Sequence, residues 1–145
     1  PDLKENELND ICDIALENNK IDGLIITNTT VSRPLLTTCP IQNSWKIDEA
    51  GGLSGPPLRE LNNKIIKKVY SKTKGKIILI GVGGVSSGKD VFEKISLGCN
   101  LVQLYTSLIY QGPNLVLDIL SELSYLLEKH KIDNINNLIG TNIKL

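Results

Sequence analysis

No sign of charge predominates in this chain. Sixteen Lys and Arg residues balance sixteen Asp and Glu across 145 residues, leaving no formal net charge at pH 7. That balance removes the basic footprint by which nucleic-acid binders meet phosphate backbones. No nucleic-acid partner is therefore expected, and any bound phosphate should belong to a small ligand. Cysteine is scarce: Cys12, Cys39 and Cys99 are odd in number, far apart and without C-x-x-C spacing. They predict neither a disulfide framework nor a zinc site, and they fit a reducing compartment. No apolar run is long enough to span a bilayer. Methionine is absent altogether, the chain begins at Pro1, and nothing near it resembles a signal segment. These features predict a piece of a longer protein. The single histidine, His130, sits among lysines away from any strand end and is expected at the surface.

What is present is organised around Ile77-Ile78-Leu79-Ile80-Gly81-Val82-Gly83-Gly84-Val85-Ser86-Ser87-Gly88. An apolar run changes there into glycines and serines just before a helical pattern, which predicts a strand delivering a Gly-rich loop to a helix N-terminus. Such a loop lets backbone approach a ligand, and the free N–H groups favour an anion such as phosphate. The alternative is a tight βα turn with no ligand. A dinucleotide fingerprint needs a third glycine where Ser86 stands, so that reading fails.

Along the chain, Leu8, Ile11, Cys12, Ala15 and Leu16 recur at helical spacing, with Glu5 and Glu7 at the start and Asn18-Asn19 at the end. Gly23-Leu24-Ile25-Ile26 reads as a short, fully buried strand that runs into Thr27-Asn28-Thr29-Thr30. Polar residues at a strand's C-terminal end carry the chemistry of parallel α/β folds, or else they make a turn through local backbone bonds. From Val31 to Ala50 no period is sustained, and a long loop containing the sole tryptophan, Trp45, is expected. Gly51-Gly52-Leu53-Ser54-Gly55-Pro56-Pro57 is a second Gly-rich loop. It opens a helix with Leu58, Leu61, Ile65, Ile66 and Val69 on one face and Lys67, Lys68, Lys72 and Lys74 on a solvated one. After the central loop, Ser86 or Ser87 caps a helix carrying Val91, Phe92, Ile95 and Leu97, which Gly98 ends. Leu101–Tyr105 is a third strand, again with a polar end at Tyr105-Thr106-Ser107. A last helix from about Asn114 to Lys129 buries Val116, Ile119, Leu120, Leu123 and Leu127.

Alternating helices and strands predict an α/β fold with a parallel sheet, either doubly wound or part of a closed barrel. Three polar strand ends decide for the barrel, in which loops after the last two strands often bind phosphate. A complete barrel takes about 250 residues. The expected architecture is therefore the C-terminal half of a (β/α)8 TIM barrel.

Four segments in this order and spacing resemble dihydroorotate dehydrogenase: Thr27-Asn28-Thr29-Thr30-Val31-Ser32-Arg33-Pro34, Gly51–Gly55, Ile80–Gly88 and Leu101–Thr106. The T-N-T-T-V-S-R-P segment and the L-Y-T strand end are similar to the quinone-linked, membrane-associated class (class 2). The resemblance covers nearly the whole chain and places Pro1-Asp2-Leu3 just after the fifth barrel strand. It implies oxidation of dihydroorotate to orotate in pyrimidine synthesis, with FMN as cofactor, a quinone as final acceptor and a place at the mitochondrial inner membrane. By motif, Thr27, Ser54 and Gly55 would line the flavin ring. Gly83, Gly84, Tyr105 and Thr106 would hold the FMN phosphate, and Asn28 and Thr29 would bind the pyrimidine. An amide suits that substrate because it both donates and accepts.

The family's serine base, its flavin-contacting lysine and the helical pair of its quinone tunnel match nothing here. No catalytic residue is expected in this segment, and the N-terminal half of the same barrel is an expected partner. Cys99-Asn100 departs from the small residues typical of the family, and the Val31–Ala50 loop is longer. Two other readings remain open at this level. One is a different FMN barrel, such as the soluble dihydroorotate dehydrogenases or the dihydropyrimidine dehydrogenase barrel. The other is a non-catalytic half-barrel that holds a phosphate.

Overall fold

The computed structural model describes residues 1–17, 21–32 and 50–143. Asn18, Asn19, Cys39, Trp45 and the 33–49 part of the expected loop lie outside the described residues. The elements run α1 (Glu5–Glu17), β1 (Gly23–Ile26), α2 (Leu58–Thr73), β2 (Ile78–Val82), α3 (Gly88–Ser96), β3 (Leu101–Gln103), α4 (Thr106–Gln111) and α5 (Leu115–Lys129). A 3-10 turn follows at Ile135–Leu138. Among the described residues the strands form one parallel sheet in the order β1-β2-β3. Ile25 lies level with Ile80, and Ile80 with Leu101.

Each helix forms because its apolar positions share a stripe that the sheet or a neighbouring helix covers. Leu8, Cys12 and Ala15 of α1 pack with Ile66 and Val69 of α2 over Ile26 and Leu79. A second cluster joins Val91 and Ile95 of α3 to Leu115, Ile119 and Leu123 of α5, closed by Leu138. Pro57 precedes α2 with helical backbone angles, and Lys74 ends it in the left-handed region. Two of the lysines expected on a solvated face also reach α1 across the surface: Lys68 pairs with Glu5 and Lys72 with Asp13, each at 2.9 Å. At such exposure these pairs contribute little.

The element order expected from sequence is observed, with additions and corrections. β2 continues through Gly81 and Val82, β3 stops at Gln103, and the polar segment after it winds into α4 instead of remaining a strand end. The α5 stripe is Leu115, Ile119 and Leu123, while Val116 and Leu120 are exposed, as is Ile11 of α1. These residues sit beside the stripe, where the described residues offer no covering layer.

β1 is not fully buried: Ile25 is 61% exposed, and Ile78 and Leu101 are 48% and 57% exposed. Because side chains alternate along a strand, the register puts Ile25, Ile78, Ile80 and Leu101 on the face away from the helices. That face is apolar and open, whereas Leu79 and Ile26 on the opposite face are buried beneath helices. Ile66, wholly buried at the centre of the first cluster, makes the sharpest test of this packing. Ile66→Ala in the complete protein should cost about 2–5 kcal/mol in urea denaturation.

Candidate functional site

Parallel pairing brings the C-terminal ends of all three strands to one edge of the sheet, and the loops leaving them are stitched together there. Thr30, wholly buried, exchanges backbone hydrogen bonds with Leu53 at 3.2 and 2.7 Å. Its hydroxyl donates to Asp2 Oδ1 at 2.6 Å. The segment after β1 is thereby fixed to the Gly51–Gly55 loop. The Thr106 hydroxyl donates to Ser54 Oγ at 3.1 Å, and the Ser107 hydroxyl donates to the Val85 carbonyl at 2.6 Å. These bonds tie the start of α4 to both Gly-rich loops.

The resulting cavity, about 860 Å³, is lined by Thr27, Asn28 and Thr29 from the first loop and by Ser54 and Gly55 from the second. Gly83 and Gly84 of the central loop and Tyr105 and Thr106 at the start of α4 complete it. All nine residues singled out from sequence thus face one space. Asn28 Oδ1 accepts from the Thr29 N–H at 2.8 Å. The Thr29 hydroxyl also donates to it, at 3.4 Å.

Gly83 and Gly84 have φ of 118° and 68°, a region L side chains rarely adopt. A Cβ on Gly83 would lie 2.8 Å from Leu58 Cδ2, and one on Gly84 would lie 2.7 Å from the Arg59 backbone N. Both glycines are therefore demanded by the first turn of α2 pressing on the loop. Their presence does not by itself separate a tight turn from an anion cradle. The backbone donors speak to that question: among the described residues no hydrogen bond takes the N–H of Gly84, Tyr105 or Thr106. Together they offer a set of donors on the cavity wall.

Beneath the cavity lie residues that periodicity alone assigns to helix surfaces. Asp90 is 3% exposed, and its Oδ1 accepts from Arg59 Nη1 at 2.7 Å. Oδ2 accepts from the Ser86 N–H, the Ser86 hydroxyl and the Ser87 hydroxyl at 3.0, 3.1 and 2.8 Å. Ser87 returns the bond as N-cap, accepting from the Asp90 N–H. Burial alone would raise the Asp90 pKa, but the bonds from Arg59, Ser87 and Ser86 outweigh it and hold the carboxyl below its ordinary value.

One turn further on, Lys94 is wholly buried, and its ammonium donates to Asn62 Oδ1 and to Asn63 Oδ1. Burial pushes its pKa down to about 8, while the same burial pushes the neighbouring Cys99 thiol up to about 12. At neutral pH the ammonium is charged and the thiol protonated. A lysine depressed in this way penalises the folded state below about pH 8, and the penalty fades as pH rises from there towards 10.5. Arg59, Asn62, Asn63, Asp90 and Lys94 all escaped the reading from sequence. The available signal was a polar residue inside an apolar stripe: Asn62 between Leu58 and Ile66, and Lys94 between Val91 and Ile95.

Asp90→Asn in the complete protein should cost about 1–3 kcal/mol at neutral pH, because the Arg59 and serine donors lose a charged acceptor. The depressed carboxyl stabilises fully above its ordinary value of 3.8, and this contribution is lost as pH falls through its lower folded value. Urea titrations should therefore show the difference between wild type and variant closing in acid.

The sequence family described as dihydroorotate dehydrogenase matches residues 1–127. The mitochondrial dihydroorotate dehydrogenase (quinone) of Mus musculus is 48% identical over 140 residues, covering 97% of this chain and 34% of that protein. The mitochondrial quinone enzyme of Oryza sativa subsp. japonica is 45% identical over 144 residues, covering 99% of this chain and 30% of the relative. A crystal structure of ligand-free DHODH from Eimeria tenella superposes with a TM-score of 0.89 at 38% identity, over 100% of this chain and 39% of that one. The chain thus spans about a third of the length of these relatives. Among the described residues no helix is long and apolar enough to cross a membrane. With its cavity at the strand ends, its parallel α/β layers and these relatives, the chain belongs to the dihydroorotate dehydrogenase family.

Proposed function

We propose that these residues form the C-terminal part of an FMN-binding barrel that oxidises dihydroorotate to orotate in pyrimidine synthesis and passes the electrons to a quinone. The observation that carries this reading is the convergence of four separate segments on one cavity at the C-terminal edge of a parallel sheet. FMN, when bound, supplies the acceptor for the hydride leaving the substrate ring.

This chain's residues fit the cofactor. The N–H groups of Gly84, Tyr105 and Thr106 are free of other partners among the described residues and, with Gly83, would hold the phosphate. Thr27, Ser54 and Gly55 line the side assigned to the flavin ring, and Ser54 is steadied by Thr106. Asn28 and Thr29 would orient the pyrimidine. Because the Asn28 oxygen already accepts from Thr29, its Nδ2 is the group left to meet a substrate carbonyl. The proton leaving the ring goes to a serine outside these residues. The quinone path and the attachment to the mitochondrial inner membrane likewise belong to the rest of the protein.

Asn28→Ala in the complete protein should lose about 1–3 kcal/mol of transition-state stabilisation, read as kcat/KM for dihydroorotate, while flavin content stays normal. An unchanged kcat/KM would remove Asn28 from the substrate site. Quinone should out-compete fumarate and nicotinamide as oxidant, and the opposite preference would move the protein to another class of FMN barrel.

The open face bearing Ile25, Ile78 and Leu101, with β1 and β3 each paired on one side among the described residues, is what a barrel cut from its other strands would present. Expressed alone, the 145 residues should neither unfold cooperatively nor form orotate, because a domain's margin is only about 5–15 kcal/mol. Mixing with the remainder of the barrel should restore both. A sharp thermal transition with orotate formation by the isolated segment would show that the domain boundary is misplaced.

A further inference from the structure

Lys94 is the most deeply buried charge among the described residues, and its stem runs directly under the central strand. A Cβ on Gly81 would come within 3.2 Å of Lys94 Cδ and 2.7 Å of Cys99 Sγ, so β2 carries a glycine where the lysine passes. An ammonium only donates. It therefore claims the oxygen of each amide it meets: Asn62 Oδ1, and Asn63 Oδ1 at 2.8 Å. With its oxygen engaged, the Asn62 amide turns Nδ2 the other way, where it donates to Thr27 Oγ1 at 3.3 Å. A hydroxyl that accepts from an amide sends its hydrogen elsewhere, and that of Thr27 goes to the Asn28 carbonyl at 2.9 Å. From Lys94 to Asn28 every hydrogen bond runs in one direction. If filling space were the only task, a methionine would occupy this volume without desolvating a charge.

We propose that Lys94 is a positioning residue of the cavity. Its buried ammonium sets the orientation of the Asn62 amide, and through it the direction of the Thr27 hydroxyl and the hold on Asn28. The proposal rests on the reading above that Thr27 borders the flavin and Asn28 the substrate. It extends that reading to a residue that touches neither. Asn62 is the intermediary in the chain of bonds, while Asn63 serves to complete the ammonium's coordination.

The test uses the complete flavoprotein and four variants: Thr27→Val, Lys94→Met, the Lys94→Met/Thr27→Val double variant and Asn62→Asp. Two quantities are read beside the melting temperature. One is the Kd for FMN, from titration of the apoprotein by flavin fluorescence quenching; the other is the rate of flavin reduction by dihydroorotate in a single turnover. Asn62→Asp keeps an acceptor for the ammonium but presents a carboxylate oxygen to Thr27, which reverses the bond there. It should melt no lower than wild type and still shift the same quantity that Thr27→Val shifts, by about five- to tenfold. Lys94→Met should produce a similar shift, and the double variant should add little to either single change, as coupled neighbours do.

If Thr27→Val alters neither quantity, both the site reading and this proposal fall. If Thr27→Val alters one of them while Asn62→Asp leaves it at the wild-type value, the site reading stands and the role of Lys94 is overturned. Multiplying effects in the double variant overturn that role as well. Should Lys94→Met fail to fold, Asn62→Asp decides alone, since it leaves the lysine paired.

Discussion

The Asp90 carboxylate, buried at the start of α3, must be satisfied from several directions at once. Its partners come from the first turn of α2 through Arg59 and from the loop after β2 through Ser86 and Ser87. An unpaired buried carboxylate is costly, so those two elements and α3 have essentially one mutual arrangement in which the charge is tolerated. That arrangement presses the Leu58 side chain against Gly83 and the Arg59 backbone against Gly84, and both glycines hold φ values that L side chains rarely adopt. Among the described residues it also leaves the Gly84 N–H without a hydrogen-bond partner beside the cavity. The geometry of this wall of the cavity thus follows from an interaction beneath it.

Lys94 extends the same logic one turn along α3. Charges of opposite sign, both buried, lie one turn apart on α3, and polar residues of α2 reach each: Arg59 the carboxylate, beside Ser86 and Ser87 of the loop, and Asn62 and Asn63 the ammonium. α2 is consequently more than a layer covering the sheet. Its apolar stripe packs on the core through Ile66 and Val69, while its N-terminal polar residues position the loops that surround the cavity. Cys99, beside the lysine, stays protonated and acts as a small apolar filler at the point where related sequences are expected to be smaller still.

The two faces of the sheet divide the labour. One is sealed by helices; the other exposes Ile25, Ile78 and Leu101 along a single row system set by the parallel register. In a closed barrel such a face becomes the packed interior, with layers contributed by alternate strands. The cavity lies at the C-terminal edge of this sheet, so in the proposed barrel the strands that complete the interior would also supply the opposite wall of the site.

Much of this was legible along the chain. Helical spacing marked α1, α2, α3 and α5, short apolar runs marked the strands, and polar strand ends and Gly-rich loops marked the segments that meet at the cavity, because period and breaker residues are local properties. The short α4 escaped, since Thr106–Gln111 has too few residues to establish a period. So did the exposure of Ile25, because an apolar residue does not announce which face it occupies or whether a layer covers it. Only the tertiary structure decided which charges are buried. Asp90 and Lys94 resemble ordinary helix-surface residues until partners 31 and 32 positions earlier fold over them. By itself the sequence determined the order of elements and the polar and glycine residues gathered at the strand ends. The fold determined which of those groups are held rigid and by what, because burial and hydrogen-bond direction are properties of neighbours in space.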